Sequence, residues 1–397
     1  MIVTLKDITT KITKGTTPTS IGCKFEKSGI NFIKSESLVD GKAIDKSKFA
    51  FISERTHERL KRSQIQENDI LFSMAGMFLG KTGIATAEVV PANTNQAVAI
   101  IRVDDTKANY EYVYYYLNQK SVIHTINTTS AQSAQPNINL KQIGEIKINL
   151  PDRKKQDQIV SLLSAIDLKI SNNVEINDNL ERQATAYFQE LFVANANPNW
   201  KTGTISSLGT VIGGSTPSKA KPEYYTDNGI AWITPKDLSI NKSKFISHGE
   251  TDITELGLKN SSASIMPEGT VLFSSRAPIG YIAISNGEVT TNQGFKSVVP
   301  KPEIGTAFVY FFLKNNLPTI EGAASGSTFK EVSGSTMKNV PAVIPDTGTL
   351  AKFNDFCSPL FNEQKNLEQE NQHLASLRDT LLPKLMSGEI DVSNIQL

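Results

Sequence analysis

The segment Gly76-Met77-Phe78-Leu79-Gly80-Lys81-Thr82 contains the residue types of a phosphate-binding loop, in which backbone amides and a lysine hold phosphate groups. That loop needs four residues between its two glycines, and here only three separate Gly76 from Gly80. The segment that corresponds to it in the second half of the chain, Ala277-Pro278-Ile279-Gly280-Tyr281, lacks the lysine. The sequence therefore argues against nucleotide hydrolysis at this position.

Other patterns that could indicate catalysis are also incomplete. Asn197-Pro198-Asn199-Trp200 is similar to the Asn-Pro-Pro-aromatic motif of adenine methyltransferases, but its third residue differs and no glycine-rich cofactor loop precedes it. The four histidines are scattered, and no His, Cys or carboxylate cluster has metal-ligand spacing. Ser73 and Ser274 occupy matching positions without a matching histidine. We therefore predict no catalytic residue, no metal and no cofactor in this chain.

Polar and basic residues suited to nucleic-acid contact are more numerous. Lys and Arg neutralise phosphates, whereas Arg, Gln, Ser and Thr can hydrogen-bond to base edges. The candidate DNA-binding residues are Lys14, Thr16, Thr17, Lys81, Thr82, Gln132 and Ser133 in the first half, and Lys219, Lys221, Ser275, Arg276, Ser327, Thr328 and Lys330 in the second. Taken singly, each is also explained as a solvated loop residue or a turn former. Asn95-Gln96 and Asn292-Gln293 recur in both halves and are candidates for a structural role instead.

These loops belong to a duplication that covers most of the chain. Gly29-Ile30-Asn31-Phe32-Ile33 recurs as Gly229-Ile230-Ala231-Trp232-Ile233, and Thr94-Asn95-Gln96 recurs as Thr291-Asn292-Gln293. The matches keep one order, and their offset drifts only from 201 to 194 residues. A repeat of this length is a whole domain with a connector, rather than a solenoid unit. We therefore expect two similar surfaces that face a target with two parts.

The bulk composition is that of an ordinary soluble protein. The chain has 397 residues, of which 39% are hydrophobic and 20% charged, and it contains only two cysteines. No apolar run approaches the length of a membrane span, and the N-terminus lacks the layout of a signal peptide. We expect a cytoplasmic protein that does not contact a membrane.

The net charge of +1 conceals an uneven distribution. Residues 1–150 carry +5 and residues 201–345 carry +2, whereas residues 151–200 carry −2 and residues 346–397 carry −4. Mildly basic halves fit contact with a polyanion, and acidic connectors fit contact with protein. Random scatter of a few charges remains the alternative.

Each half has the pattern of a mixed α/β domain. Short β-rich runs are separated by glycine and Ser/Thr, and an aromatic helix follows at about Tyr110–Gln119 and Phe308–Asn315. Each half closes on an extended segment that ends in a proline. We predict globular domains at residues 1–150 and 196–345, and long helices at residues 151–195 and 346–397; the family resemblance given below implies that the two domains are target-recognition domains.

The two connectors carry matching heptad seams. The seam positions follow one another at intervals of four and three residues, and most of them hold apolar residues. An amphipathic helix that packs on its own domain is the alternative. The predicted seam residues are Ile159, Leu163, Ile166, Ile170, Asn177 and Leu180 in the first helix, and Leu360, Leu367, Asn371, Leu374, Leu381 and Leu385 in the second. Because a whole domain separates the helices, they can pair antiparallel. The predicted fold is α+β: two pseudo-symmetric globular domains separated by two long helices that form an antiparallel coiled coil.

This arrangement resembles the specificity subunit of type I restriction–modification systems over essentially the whole chain. The resemblance rests on the duplication and on four motifs whose order is specific. They are Gly214-Ser215-Thr216-Pro217, Gly229-Ile230-Ala231-Trp232-Ile233, Thr291-Asn292-Gln293-Gly294 and Leu381-Leu382-Pro383-Lys384-Leu385-Met386-Ser387-Gly388-Glu389-Ile390. Where the family often has a Glu-Gln pair after the closing proline, this chain has Lys155-Gln156, and the second helix begins with Asp346-Thr347-Gly348. These departures bear on partner contacts more than on function.

The resemblance implies a non-catalytic subunit whose two domains each read half of a split sequence in double-stranded DNA. It further implies that the helices recruit two methyltransferase (modification) subunits, which bind S-adenosylmethionine and methylate adenine N6. Motor-nuclease (restriction) subunits, with ATP and Mg²⁺, would complete the complex. Two alternatives stay open: a non-catalytic scaffold whose two domains tether another protein, and an enzyme fused to a helical dimerisation stem.

Overall fold

The computed structural model describes residues 1–39, 41–130, 137–326 and 330–392. Contacts divide the chain into two units. Unit 1 contains Met1–Lys169 with Leu374–Leu397, and unit 2 contains Ile170–His373. Each unit therefore holds one globular repeat together with a part of each long helix.

Unit 1 consists of short strands and helices together with parts of the two long helices. Its strands are β1 (Ile2–Thr4), β2 (Thr9–Lys14), β3 (Ile30–Ile33), β4 (Ala50–Ile52), β5 (Gln64–Ile65), β6 (Ile70–Ser73), β7 (Thr82–Ile84), β8 (Ala92–Thr94), β9 (Val98–Val103) and β10 (Lys147–Asn149). Its helices are α1 (Glu54–Arg59), α2 (Tyr110–Leu117), α3 (Lys120–Ser130), α4 (Leu140–Gly144), the first part of α5 (Arg153–Gln189) and the last part of a second long helix, α12 (Thr347–Ser387). Short 3₁₀ helices lie at Leu5–Ile8, Pro18–Ile21, Ser35–Ser37, Lys46–Lys48, Lys61–Ser63 and Gly76–Phe78.

The central sheet of unit 1 has the strand order β2-β9-β6-β7, with antiparallel neighbours. Side chains alternate between the two faces of a strand, so a continuous apolar run is buried on both faces. On β9, Ala99 and Ile101 pack in the cluster that includes helix α2, whereas Val98 and Ile100 pack in a second cluster on the other face. The second cluster is closed by the smaller sheet β4-β3-β8-β5.

The long helices pair within unit 1. Ile159 and Leu163 of α5 share a core cluster with Leu382 and Leu385, which belong to the helix Thr347–Ser387 (α12). The sequence number falls along one helix as it rises along the other, so the pairing is antiparallel. A hydrogen-bonded ion pair between Asp167 on α5 and the guanidinium of Arg378, 3.0 Å apart, agrees with this register.

Unit 2 repeats the layout of unit 1. Its strands are β11 (Lys201–Thr204), β12 (Gly209–Gly213), β13 (Tyr225–Thr226), β14 (Trp232–Ile233), β15 (Phe245–Ile246), β16 (Asp252–Ile253), β17 (Val271–Ser275), β18 (Ile279–Ser285), β19 (Thr290–Thr291), β20 (Lys296–Pro300) and β21 (Pro341–Ile344). A π-helical turn, Glu190–Ala194, follows α5, and a 3₁₀ turn lies at Pro222–Tyr224. Its helices are the last part of α5, α6 (Ile205–Leu208), α7 (Pro235–Ile240), α8 (Glu255–Lys259), α9 (Thr306–Asn315), α10 (Leu317–Gly322), α11 (Gly334–Asn339) and the first part of α12.

The central sheet of unit 2 has the order β12-β20-β17-β18-β15, in which only the last pair is parallel. Its apolar strands are again buried on both faces. Val271 and Phe273 pack in the cluster that contains helix α9, and Leu272 between them packs in a second cluster on the opposite face. The chain closes the domain as it does in unit 1, because β21 pairs antiparallel with β11 just as β10 pairs with β1.

Polar residues fix the register of the helix pair in unit 2. The Asn173 amide is fully buried and donates to Asn371 Oδ1 (2.9 Å), and Gln364 Nε2 donates to the backbone carbonyl of Asn177 (3.1 Å). Such polar seam positions cost stability but restrict register. Asn371 therefore pairs with Asn173, and not with its repeat equivalent Asn177.

The predicted fold is confirmed as mixed α and β, with long helices that pair antiparallel inside each unit. The predicted aromatic helices correspond to α2 and α9. All twelve predicted seam residues are buried or half-buried. Among the described residues, no helix combines the length and apolar character needed to cross a membrane.

Candidate nucleic-acid interface

One end of the central sheet of unit 1 collects most of the loops that carry the predicted polar residues. Strand β2 ends there at Lys14, whose partner across the sheet is Ala99 near the start of β9. Strand β6 ends there at Ser73, and β7 starts there at Thr82. The Thr-Pro loop (Gly15-Thr16-Thr17-Pro18, with Gly214-Ser215-Thr216-Pro217 as its counterpart in unit 2), the Asn95-Gln96 motif and the β6–β7 hairpin tip therefore lie together at this end of the sheet, which we call the sheet edge.

Unit 2 builds the same edge from the equivalent strands. Strand β12 ends at Gly213, whose partner is Lys296 at the start of β20. Strand β17 ends at Ser275 and β18 starts at Ile279, so the hairpin tip is Arg276-Ala277-Pro278. The equivalent cross-strand pair contains one lysine in each unit. It is Lys14 on β2 in unit 1 and Lys296 on β20 in unit 2.

A hydrogen bond between a threonine and a glutamine joins two of these loops in each unit. Thr17 of the Thr-Pro loop donates to Gln96, and Thr216 donates to Gln293. Backbone bonds support both contacts, with Thr16 N donating to Thr94 O at 3.1 Å and Ser215 N donating to the carbonyl of Thr291 at 2.8 Å. The Asn-Gln motif therefore holds the Thr-Pro loop in place, which is the structural role considered for it.

The glycine that precedes each Thr-Pro loop allows the two segments to approach closely. A Cβ atom at Gly15 would lie 1.8 Å from the carbonyl oxygen of Thr94, and one at Gly214 would lie 1.9 Å from that of Asn292. Both neighbours are backbone atoms, which cannot move away as a flexible side chain could. Only glycine fits at these two positions.

An aromatic groove of about 630 Å³ adjoins this edge in unit 2. Tyr225 and Trp232 meet edge to face with ring centroids 5.7 Å apart, and Trp232 Nε1 donates to Ser215 O at 3.0 Å. Burial raises the pKa of Tyr225, whose hydroxyl donates to the carbonyl of Pro217 at 2.6 Å. Lys219, Gln293 and further polar residues line the groove, so it offers both charged and hydrogen-bonding groups to a ligand.

Most of the predicted DNA-binding residues that the structure describes lie at the surface. Lys14, Lys219, Lys221 and Lys330 are exposed, and Thr16, Thr17, Lys81 and Arg276 are half-buried. Lys221 pairs with Glu223 at 3.6 Å and Arg276 pairs with Glu331 at 3.4 Å. Gln132, Ser133, Ser327 and Thr328 lie outside the described residues.

Two predicted residues are corrected by their burial. Thr82 is 2% exposed, and its hydroxyl exchanges hydrogen bonds with the Asn118 amide at 2.9 and 2.7 Å. Ser275 is fully buried and donates to Gly294 O at 3.1 Å. Both residues sit on strand ends of a sheet that is covered on both faces, so neither side chain can reach a nucleic acid in this structure.

The structure adds basic residues that the sequence analysis missed. Arg62 donates to the Thr16 hydroxyl at 3.1 Å and thereby joins the Thr-Pro loop of unit 1. Lys296 lies 3.6 Å from Glu331, which also holds Arg276. Comparison of the two halves of the sequence does not point to Lys296, because the equivalent residue in the first half is Ala99. Its position beside the Asn-Gln motif was the available signal.

The described residues contain no group of three or more His, Cys, Asp or Glu side chains arranged to hold a metal ion. The arrangement in each unit is instead a rigid sheet edge with loops that present Lys, Arg, Thr and Gln. Such groups bind phosphates and base edges.

Comparison with known proteins agrees with this chemistry. The profile of a family described as the type I restriction modification DNA specificity domain matches residues 1–182 and 197–375. The MjaIX specificity subunit of Methanocaldococcus jannaschii, a type I restriction enzyme component, is 37% identical over 48% of this chain and 44% of its own length. The corresponding HindI subunit of Haemophilus influenzae is 23% identical over 70% of this chain and 77% of its own length.

A solved structure shares the fold. The S subunit of a type I restriction-modification system from M. genitalium is 16% identical, with a TM-score of 0.59 over 97% of this chain and 95% of that one. The match to the family profile covers both halves of the duplication, and each half contains one of the two sheet edges described above. The chain therefore belongs to the type I restriction–modification DNA specificity family.

Proposed function

We propose that this chain is the DNA-recognition subunit of a type I restriction–modification complex, in which each unit reads one half of a bipartite sequence in double-stranded DNA. The observation that carries the proposal is the pair of equivalent sheet edges with a shared scaffold and different exposed side chains. Both edges keep the Thr–Gln contact. The hairpin tips differ, because Met77 in unit 1 corresponds to Ala277 in unit 2, and Gly76 corresponds to Arg276. Two readers of different half-sites need such a difference.

We propose further that the chain itself is non-catalytic and that its long helices recruit protein partners. Exposed apolar residues on the helices support this: Leu168 (62% exposed) and Leu377 (41%) in unit 1, and Val174 (48%) and Phe356 (40%) in unit 2. Contiguous apolar surface marks protein interfaces, so the proposal predicts that these side chains become buried when the partner subunits bind. The proposed partners are two methyltransferase subunits and the motor-nuclease subunits, which would carry S-adenosylmethionine, ATP and Mg²⁺. We place the assembled complex in the cytoplasm.

Selection from a random DNA library tests the proposal. The chain, assembled with its methyltransferase partner, should enrich two short sequences at a constant spacing. Its affinity should fall steeply with salt, because each neutralised phosphate releases counterions. Enrichment of no sequence, or binding that is insensitive to salt, would contradict DNA recognition and favour the tethering scaffold.

A further inference from the structure

The β6–β7 hairpin of unit 1 presents a large apolar side chain to solvent. Between Ser73 and Thr82 the chain forms a 3₁₀ turn at Gly76–Phe78, and Met77 at its centre is 87% exposed. Leu79, two residues later, is buried and anchors the loop to the core. A single exposed methionine is ordinary on a protein surface. This one stands at the sheet edge that also carries Lys14 and the Thr-Pro loop.

The equivalent hairpin of unit 2 presents an arginine. Arg276 follows the last residue of β17, and a carboxylate oxygen of Glu331 lies 3.4 Å from one of its guanidinium nitrogens. Glu331 is itself anchored to the hairpin, because the next residue, Val332, donates its amide to the Ser275 carbonyl at 3.0 Å. The arginine side chain is still 37% exposed. It is therefore oriented by the protein and accessible to a ligand.

We infer that the two hairpin tips are base readers, in which Met77 contacts the 5-methyl group of a thymine and Arg276 contacts a guanine. The inference rests on the proposed function and deepens it. The major groove admits a two-stranded β-ribbon, and there arginine pairs with guanine O6 and N7 while apolar side chains contact the thymine methyl. The two tips join equivalent antiparallel strand pairs, so we assign them the same task on different bases.

Insertion of Met77 as a wedge between base pairs is the competing mechanism, since apolar side chains that unstack bases include methionine. A wedge in both units would require a large apolar side chain at both tips, whereas Ala277, the residue that corresponds to Met77, has only a methyl group. The charged, carboxylate-oriented Arg276 at the second tip favours the reading of base edges instead.

Substitution at each tip tests the inference in the complex with the methyltransferase partner. Met77→Ala should relax the preference for one thymine-containing base pair of one half-site, and Arg276→Ala should relax the preference for one G·C pair of the other. The expected losses of discrimination are about fourfold for the methyl contact and roughly 5- to 150-fold for the arginine. The spacing between half-sites should not change in either variant.

Modified DNA separates a direct contact from a general loss of affinity. Replacing the affected thymine by deoxyuridine removes only the methyl group, so it should weaken the wild type about fourfold and leave Met77→Ala unaffected. Replacing the affected guanine by 7-deazaguanine should likewise weaken the wild type but not Arg276→Ala. Ile2→Ala is the matched control in unit 1. Ile2 is 74% exposed on β1. From β1 the chain enters the central sheet at Thr9, and Thr9 and the sheet edge lie at opposite ends of β2.

The outcomes distinguish the inference from the function on which it rests. If the wild type prefers no sequence, the proposed function fails. If the wild type reads two half-sites but Met77→Ala and Arg276→Ala leave both preferences intact, or relax the same half-site, the inference alone is overturned. DNA that is kinked by the wild type and straight with Met77→Ala, with no response to deoxyuridine, would assign the wedge instead.

Discussion

Lys244 is a buried cation that connects a loop of unit 2 to the long helices, and its removal should cost more stability than most substitutions. Its side chain is 6% exposed and contacts Glu181 of α5, while Gln364 Oε1 of α12 accepts from its ammonium at 2.6 Å. The ring of Phe361 lies 4.1 Å from the same ammonium. Burial is the largest influence on the pKa of Glu181 and raises it, but the neighbouring Lys244 and Lys314 outweigh it and hold that pKa below its usual value.

Lys244→Met keeps the side-chain volume and deletes the charge. Removing one partner of a buried ion pair costs about 3–5 kcal/mol because the other charge stays buried. Lys314 remains 2.6 Å from Glu181, so we expect the lower end, about 3 kcal/mol. The double variant Lys244→Met/Glu181→Gln removes both charges and should lie within about 1 kcal/mol of the wild type.

Lys42→Met in unit 1 is the matched control. Lys42 is the structural equivalent of Lys244, because its carbonyl accepts from Ile84 as that of Lys244 accepts from Ile284. It also pairs with a carboxylate, Glu111, but both side chains are about one quarter exposed, at 25% and 26%. Water screens this pair, so its loss should cost about 1 kcal/mol.

Urea unfolding at neutral pH, with hydrogen exchange to localise the effect to unit 2, measures these free energies. The pH dependence gives an independent check. In the wild type the depressed pKa of Glu181 stabilises the fold above the unfolded-state pKa, and that stability is lost as the pH falls through the folded-state pKa. Without Lys244, burial should raise this pKa, so the deficit of Lys244→Met should shrink as the pH is lowered from 7 toward 5. A deficit below about 1 kcal/mol, with the pH dependence of the wild type, would refute this account.

Three further predictions concern the Thr-Pro loop and the helices. Gly214→Ala should lower both the DNA affinity and the protection of the loop in hydrogen exchange, because its Cβ would lie 1.9 Å from a backbone oxygen. Gly213→Ala is the control and should leave both quantities unchanged, because the atom nearest to its Cβ would be a lysine side-chain carbon at 3.8 Å. The amide and hydroxyl of Thr349 and the indole of Trp200 hold the pKa of Asp346 at about 2. Asp346→Asn should therefore be less stable than the wild type above pH 4, and the difference should vanish as the pH falls through about 2. Acid titrations followed by circular dichroism measure this difference. Deleting seven residues from both α5 and α12 shortens each by about 10 Å, and methylome sequencing should then show a shorter half-site spacing with unchanged half-sites; changed base preference at constant spacing would contradict this.

The periodic features of the fold could be predicted from the sequence because they follow from apolar side chains at fixed intervals. The seam of α5 and α12 and the strands that close each half are of this kind. The partner of each polar seam residue could not be predicted. Asn177 and Asn371 occupy equivalent positions in the repeat, yet Asn371 pairs with Asn173, and the position equivalent to Asn173 is Leu367. Which side chains meet across two helices depends on the stagger between them, which one sequence does not contain.

The candidate site could be predicted only in part, because burial and contacts between loops depend on residues that are far apart in the sequence. Loop composition identified surface lysines such as Lys14 and Lys219, but it could not distinguish Thr82 and Ser275, which face a buried side of the sheet. Lys244 and its ion pair were also missed, because burial of a lysine depends on aromatic and acidic groups far away in the sequence. Arg62 was missed because its contact with Thr16 joins loops that are 46 residues apart.

Within each unit, the residues that build the site are different from the residues that could read a sequence. Gly15 with Gln96, and Gly214 with Gln293, hold the Thr-Pro loop by contacts that tolerate no change of backbone geometry. Met77 lies outside these contacts and is mostly exposed, so replacing it should change the free energy of unfolding by no more than about 0.5 kcal/mol. A tip that costs little to alter, on a scaffold that cannot be altered, allows a change of recognised base without a change of fold. Met77→Arg should therefore unfold at the same urea concentration as the wild type while moving the base preference of one half-site toward guanine. A loss of stability above 1 kcal/mol, measured by urea unfolding, would show that the tip belongs to the scaffold after all.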